Sequence, residues 1–427
     1  ALRKVSAGLF VFCYTVPMKT FMHRLFAFFA ILAGIGLIAG SFAPMFASAA
    51  HAQTTSLEYS GWVPYWTAKK GADDARKHLK QLDEVNPFTY IVKTDGSLKD
   101  NGKMTASHWK KLAKVADKEG TRYVPTLMWN DGASTHRILS DASLRAQHIE
   151  NIVELVEDND YDGIDIDYEG KLAETRTYFS LFLAELNIAL GSKHLSCTIE
   201  ARTPVPDRYT GTPPATAYEF ANDYPSIGKA CDTVRLMTYD QQTADQKLNA
   251  LRPGPYFPVA DTLWTEKVVN LTTKDIPKNK IFIGVATYGR ELEVTISPTG
   301  KFTYKNLWAF NPGYGNEIEK KFKVKRSRNA AGEATITYID KKAKKGPSQK
   351  ELIALAPAGT ASGELVAQGA KAYALKNNVP VTFRMLSWSD AGALEGHVAL
   401  AKKLGVRGIA VFKIDGGEDK GIWSAMK

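Results

Sequence analysis

From about Leu57 onward, short runs of β-branched and aromatic residues alternate with longer segments whose apolar positions recur at helical spacing. The short runs predict strands, and the longer segments predict helices that pack on them. Eight such runs predict an α/β fold, a (β/α)8 TIM barrel with a parallel sheet. The predicted strands cover residues 59–66, 87–93, 122–129, 161–169, 195–202, 233–240, 281–289 and 408–414.

The seventh and eighth runs are too far apart for a connecting loop. A small inserted α+β subdomain is therefore predicted at residues 291–380, with strand signals at 301–304 and 334–339. It could form one wall of a cleft. Among the barrel helices, Ser140 or Ser143 is the predicted N-cap of one, and Asp390 is the predicted N-cap of another that ends at Gly405.

The segment before residue 53 has the pattern of a secretory signal peptide. Met18 is followed by Lys19 and Arg24, then by an apolar run from Leu25 to about Ala43 and by small residues up to Ala52. Cleavage near Gln53 would leave a mature chain of residues 53–427, without a membrane anchor, that is secreted or held in the periplasm or cell wall. The alternative is a retained anchor, because about nineteen apolar residues approach the length that spans a bilayer.

Charge and cysteine content narrow the function classes further. The formal net charge is +10, but no pattern of basic residues indicates nucleic-acid binding. Of the three cysteines, Cys197 and Cys231 lie in the mature chain, where either a disulfide or two buried free thiols is consistent with the sequence. No Cys/His cluster has zinc spacing, so neither a metal nor another cofactor is implied. We expect a monomer.

The fourth predicted strand carries an unusual set of acids. Side chains alternate between the two faces of a strand, so Asp165, Asp167 and Glu169 share one face. Like charges this close cannot all ionise freely, so at least one pKa should be raised, as a general acid requires. A calcium loop is the alternative, but it needs a central glycine, whereas the spacers here are Ile164, Ile166 and Tyr168. The pattern favours a catalytic strand.

Active sites of such barrels lie at the carboxyl ends of the strands, and several aromatic and charged residues fall there. An aromatic face beside polar groups suits a sugar ring, so these residues predict a carbohydrate cleft. The candidates are Trp62, Tyr65, Trp66, Trp129, Tyr239, Asp240, Tyr288 and Arg290.

The acid strand resembles the signature of the family-18 glycoside hydrolases, Asp-x-x-Asp-x-Asp-x-Glu, with Asp162 and Gly163 as its structural start and Glu169 as its end. The segments 237–240 and 284–290 are similar to the family's sixth and seventh strands. Segments 253–260, 276–280, 408–410 and 417–419 resemble its spore-germination and cortex-lytic branch. Two departures are notable: Phe412 stands where the family usually has a tryptophan, and residues 126–130 replace a Ser-x-Gly-Gly segment.

The resemblance implies retaining hydrolysis of β-1,4-linked N-acetylglucosamine glycans, such as peptidoglycan or chitin, through an oxazolinium intermediate. Glu169 would be the acid and then the base, while Asp167 would bind the acetamido N–H. Asp165 would hold Asp167 and share a proton with it, and Tyr239 would orient the acetamido carbonyl. The alternative is a chitinase-like lectin without turnover, although such lectins generally lack one of the acids.

Overall fold

A computed structural model describes residues 56–252, 254–340 and 346–427. The predicted signal peptide lies outside the described residues. Eight parallel strands form a closed barrel, because the first pairs with both the second and the eighth. Each predicted run overlaps one of them, so the predicted fold class is confirmed. In chain order they are β1 (Glu58–Pro64), β2 (Glu84–Val92), β3 (Thr126–Trp129), β4 (Gly163–Tyr168), β5 (His194–Glu200), β6 (Thr233–Met237), β7 (Ile281–Ala286) and β8 (Gly408–Phe412).

Helices surround the barrel and bury the outward side chains of its strands in the main hydrophobic core. The principal ones are Ala68–His78, Ser107–Glu119, Gly132–Ser140, Ala142–Asp158, Arg176–Leu190, Tyr224–Ala230, Thr262–Thr272 and Ala391–Leu404. Shorter helices are Val205–Arg208, Gln246–Leu251 and Ile422–Ala425, and two short strands, Leu98–Asp100 and Arg122–Tyr123, pair with β2.

Two helix caps illustrate the local signals. The Asp390 side chain accepts a hydrogen bond from the Ala393 amide, and Gly405 ends that helix in the left-handed conformation, as predicted. The helix Ala142–Asp158 is instead capped by Asp141, which accepts from two backbone amides at the helix start. The predicted caps Ser140 and Ser143 are therefore wrong, because Asp141 lies between them and its carboxylate is the better-placed acceptor.

The segment between β7 and β8 forms a second, antiparallel sheet with its own core. Its strands, in spatial order, are Phe302–Phe310, Gly289–Ile296, Val381–Trp388, Ala334–Tyr338 and Ser327–Arg328. The helices Pro312–Phe322, Gln349–Leu355 and Leu365–Asn377 belong to the same segment. The predicted limit at residue 380 is too early, because Val381–Trp388 pairs with both Gly289–Ile296 and Ala334–Tyr338.

Cys197 on β5 and Cys231 just before β6 are joined by a disulfide, with their Cα atoms 6.0 Å apart. This resolves the two alternatives that the sequence left open. Among residues 56–252, 254–340 and 346–427, no helix is long and apolar enough to cross a membrane.

Candidate active site

The acid strand β4 lies in the barrel wall with its two faces in different surroundings. Ile164, Ile166 and Tyr168 pack into the core between the barrel and its helices. Asp165 and Asp167 point to the barrel interior, where Asp165 is fully buried and Asp167 is 4% exposed. Glu169 follows the end of the strand and is partly exposed at the mouth. The alternation predicted from the sequence therefore places the acids in one column, from the interior outward.

Asp165 is held by five side chains from four strands of the barrel. One carboxylate oxygen accepts from Trp62 Nε1 at 3.0 Å and Thr126 Oγ1 at 2.9 Å. The other lies within hydrogen-bond distance of Ser196 Oγ (2.8 Å), Thr198 Oγ1 (2.9 Å) and Arg235 Nη1 (3.3 Å). No hydrogen bond joins Asp165 to Asp167 among the described residues, so the shared proton stays a prediction.

Arg235 is the buried cation of this network, with no exposed side-chain surface. It also donates to Glu84 on β2, which is as deeply buried. Although burial opposes ionisation, the charges of Arg235, His194 and Arg122 lower the pKa of Glu84 to about 2. The positive and negative charges buried in the barrel interior therefore compensate one another, and Asp165 belongs to this charge cluster.

The next two acids of the column differ from Asp165 in having few donors. Burial raises the pKa of Asp167 well above its usual range, and the neighbouring carboxylates of Glu169 and Asp165 act in the same direction. Its Oδ1 is buried without a hydrogen-bond partner. Burial also raises the pKa of Glu169. Two carboxyl groups with raised pKa values therefore lie next to each other at the barrel mouth.

Aromatic side chains form the floor beside these acids. The rings of Tyr239 and Phe412 stack with centroids 5.7 Å apart, and Tyr288 meets Phe412 edge-on at 6.3 Å. Gly284 is required below Tyr239, since an added Cβ would lie 2.3 Å from the Leu236 carbonyl oxygen and 3.0 Å from the Tyr239 ring. Phe412, which stands where the family usually has a tryptophan, thus lies in this floor.

Asp240, Tyr288 and Arg290 form one hydrogen-bonded group. Asp240 accepts from Tyr288 Oη at 2.9 Å and from Arg290 Nε and Nη2 at 3.0 and 2.7 Å. Its φ of 55° is left-handed, a strained conformation for a residue other than glycine that is often found at functional sites.

These residues line one continuous cleft, which we divide into two halves. The acid half has a volume of about 370 Å³ and is lined mainly by Trp62, Asp167, Glu169, Glu200, Tyr239 and Trp264. The aromatic half, of about 540 Å³, is lined mainly by Trp66, Arg290, Trp308, Asn311 and Lys413. The halves share Asp240, Tyr288 and Phe412. Their joint volume is in the range of small-ligand sites.

Trp129 is a correction to the predicted site. It is 1% exposed and packs against Tyr168 and His148 in the helix-facing core. Thr126 binds Asp165 inside the barrel, so by alternation Met128 faces inward and Trp129 faces outward. Trp129 therefore does not line the cleft. Tyr65 lies edge-on against the half-exposed Trp66, and only Trp66 of this pair lines the cleft.

Asp162 and Gly163 lie at the opposite end of β4 from Glu169. The Asp162 carboxylate accepts from the Tyr123 amide at 2.7 Å and so joins the starts of neighbouring strands. A Cβ on Gly163 would lie 2.0 Å from the His194 carbonyl oxygen, so only glycine allows this close approach of β5.

Sequence reasoning missed several residues of the cleft, notably Glu200, Trp264 and Trp308. Glu200 could have been found, because it lies near the end of the fifth predicted strand, on the same face as Ser196 and Thr198. Trp308 could not, because only the folded insertion brings it to the barrel. In the part of the chain that the structure describes, no group of three or more His, Cys, Asp or Glu side chains could hold a metal ion.

A closed (β/α)8 barrel with carboxyl groups and aromatic rings at its carboxyl-end mouth has the architecture of the barrel-type glycoside hydrolases. The sequence comparison then specifies the family. The chain belongs to the glycosyl hydrolases family 18, whose family model matches residues 61–417. The resemblance noted from the sequence is thereby confirmed.

Individual relatives agree with this assignment. The chain is 26% identical over 216 residues to the uncharacterized glycosylase YvbX of Bacillus subtilis, covering 50% of this chain and 56% of the relative. It is 27% identical over 218 residues to the cortical fragment-lytic enzyme of Bacillus anthracis, covering 48% and 46% of the two chains. The matched regions thus span about half the length of these curated relatives.

Solved structures share the fold. The spore cortex-lytic enzyme SleL of Bacillus cereus superposes with a TM-score of 0.62 at 20% identity, covering 87% of this chain and 74% of the other. A chitinase from Chromobacterium violaceum gives a TM-score of 0.62 at 17% identity, with 87% and 98% covered.

Proposed function

We propose that the protein is a retaining glycosidase that cleaves β-1,4-linked N-acetylglucosamine glycans with the help of the substrate's own acetamido group. The observation that carries this proposal is the buried, unpartnered Oδ1 of Asp167 beside Glu169, whose pKa is raised by burial. A buried acceptor without a donor is costly. The N–H of a 2-acetamido group would supply the missing donor.

In the proposed reaction, the Glu169 carboxyl donates its proton to the glycosidic oxygen as the bond to the anomeric carbon breaks. The acetamido carbonyl oxygen attacks that carbon from the opposite face and forms a cyclic oxazolinium ion. Asp167 accepts a hydrogen bond from the acetamido N–H, and Tyr239 Oη donates to its carbonyl oxygen. Glu169, now a carboxylate, then takes a proton from the water that opens the ring, so the anomeric configuration is retained.

The proposed substrate is a peptidoglycan- or chitin-type glycan, which the similarity to cortical fragment-lytic enzymes and chitinases supports. The disulfide between Cys197 and Cys231 supports export to an oxidising compartment, because such bonds are rare in cytosolic proteins. We therefore propose that the protein acts outside the cytoplasm.

The test is mass spectrometry of the products after separate incubation with peptidoglycan and with chitin oligosaccharides. The expected products are shortened sugars that end in reducing N-acetylglucosamine, formed by the wild type and absent with Glu169→Gln. Binding of both substrates without any product would overturn the hydrolase and favour a lectin.

A further inference from the structure

A lysine and a second glutamate meet directly beside Glu169, and the proposed reaction uses neither. Lys171 follows Glu169 by two residues, and its side chain is only 1% exposed. Its Nζ donates to the Tyr168 carbonyl oxygen, lies 3.4 Å from Oε2 of Glu200, and sits 4.8 Å above the Phe179 ring. A buried ammonium is costly unless a negative charge compensates it. Glu200 is therefore the electrostatic partner that keeps Lys171 in place.

Glu200 ends β5 and lines the acid half of the cleft. Thr198 pairs with Asp167 in the barrel register, and Glu200 and Glu169 come two residues later on the same inward faces. The Glu200 Oε1 accepts from the Gly170 amide at 2.9 Å. Glu200 thus binds both residues that follow Glu169, one through its backbone and the other through its side chain.

A third residue fixes the orientation of Glu200. Asn222 donates to its Oε2 at 2.8 Å, and the backbone carbonyl of Asn222 is itself bound by Arg202 at 2.6 Å. Although burial opposes ionisation, Lys171 and the hydrogen bond from Asn222 lower the pKa of Glu200. Glu200 is therefore a fixed negative charge at neutral pH.

From this geometry we infer that Lys171 and Glu200 are positioning residues for Glu169: they hold the turn that carries its carboxyl, and their opposite charges set how readily it keeps its proton. The role of Glu169 as the acid rests on the proposed function. The position of Glu169 and the charges that surround it do not depend on that proposal.

The charged groups around Glu169 come from four places. Asp167 faces it from β4, Glu200 from β5, Asp240 from the loop after β6, and Lys171 from its own turn. Burial raises the pKa of Glu169, and Glu200 adds to this increase while Lys171 opposes it. Asp240 also raises it, but Asp240 is bound by Arg290.

Two near-isosteric variants distinguish the effect of the Glu200 and Lys171 charges from a purely structural role of these side chains. Glu200→Gln keeps an oxygen that can accept from the Gly170 amide but loses the negative charge, so the pKa of Glu169 should fall by about one unit. Lys171→Met keeps the aliphatic chain but loses the positive charge, so the pKa should rise by about one unit. A purely structural role would move the pKa in neither variant, or in the same direction in both.

The measurement is a ¹³C NMR titration of the glutamate side-chain carboxyls, with the Glu169 signal assigned by its loss in Glu169→Gln. Glu185→Gln is the control, because Glu185 pairs with Arg145 away from the cleft. Opposite shifts in the two variants are expected, and unchanged or parallel shifts would overturn the inference. If Lys171→Met does not fold, Lys171→Gln gives the same test.

The titration does not depend on turnover, so the inference and the proposed function can fail separately. If the proposed function holds, the alkaline limb of the kcat–pH profile should move in the same direction as the Glu169 titration, because the first step needs the protonated acid. Opposite NMR shifts in a protein that releases no products would leave the positioning role intact and overturn the glycosidase.

Discussion

The acid residues of the acid half of the cleft come from neighbouring barrel strands, whereas the residues of the aromatic half come from segments that are far apart in the chain. Asp167, Glu169 and Glu200 follow from the inward faces of β4 and β5. Trp66 comes from the segment after β1, while Trp308 comes from the inserted sheet. Strand periodicity positions the first group, and the packing of the insertion positions the second.

The two halves also differ in how charge is compensated. Burial raises the pKa values of Asp167 and Glu169, and neighbouring carboxylates add to the increase. In the aromatic half, Arg290 is paired with Asp240, and Lys413 with Asp415. The first arrangement suits proton transfer, and the second suits the binding of a neutral, polar ring between aromatic faces. The comparison predicts that changes in the acid half affect chemistry, while changes in the aromatic half affect binding.

The largest effect is expected for Glu169→Gln. The amide cannot donate an acidic proton, so kcat should fall by about four powers of ten, the upper end of general-acid contributions. Oligosaccharide binding measured by calorimetry should change little, and the circular dichroism spectrum should stay the same. Activity equal to that of the wild type would contradict the division between the two halves.

Asp167→Asn should lower kcat by about two to four powers of ten, the scale seen when one electrostatic stabiliser of a transition state is removed. The amide retains an oxygen but cannot become a carboxylate beside the developing positive charge. Steady-state kinetics on a chromogenic N-acetylglucosamine substrate would measure this. A loss of less than tenfold would show that Asp167 does not hold the acetamido group.

The same comparison explains what the sequence could predict. Runs of β-branched and aromatic residues identified the barrel strands, and two-residue alternation identified the acid column, since both depend on local pattern alone. The misplacement of Trp129 shows that a strand-end position is not sufficient. Trp129 follows Thr126 by three residues, so its side chain points to the opposite, outward face of the strand. The hydrogen bond from Thr126 to Asp165, which identifies the inward face, was not known from the sequence.

Non-local contacts were beyond the sequence. Trp308 is oriented by Glu291, whose carboxylate accepts from the indole Nε1 at 2.6 Å. Tyr314 and Tyr338 donate to the same carboxylate. These four residues are spread over the insertion, and only its folded sheet brings them together. Likewise, the contact of Arg235 with both Glu84 and Asp165 requires the barrel to close.

Arg235→Met tests whether the acid half depends on this charge cluster. Removing the cation leaves two buried carboxylates, Glu84 and Asp165, without their shared partner. The free energy of unfolding should therefore fall by about 3–5 kcal/mol, as measured by urea denaturation. The control is Arg176→Met, since Arg176 is 51% exposed in its pair with Asp223 and should contribute less than about 1 kcal/mol. Equal effects of the two variants would contradict a structural role for the cluster.

The smallest effect is expected for Trp308→Ala, because it removes one binding face and no reacting group. Trp308 is 47% exposed, so its loss should leave the melting temperature nearly unchanged. KM should rise about tenfold, or about 1.4 kcal/mol in binding, for oligosaccharides long enough to reach the aromatic half. For the shortest cleaved substrate, KM should be unaffected, and kcat should stay the same for the short and the long substrates.

Leu307→Ala is the matched control for Trp308→Ala, since Leu307 is exposed on the same strand but does not line the cleft. A fall in kcat on short substrates would show that the insertion takes part in the chemistry, and the functional division between the halves would then be wrong.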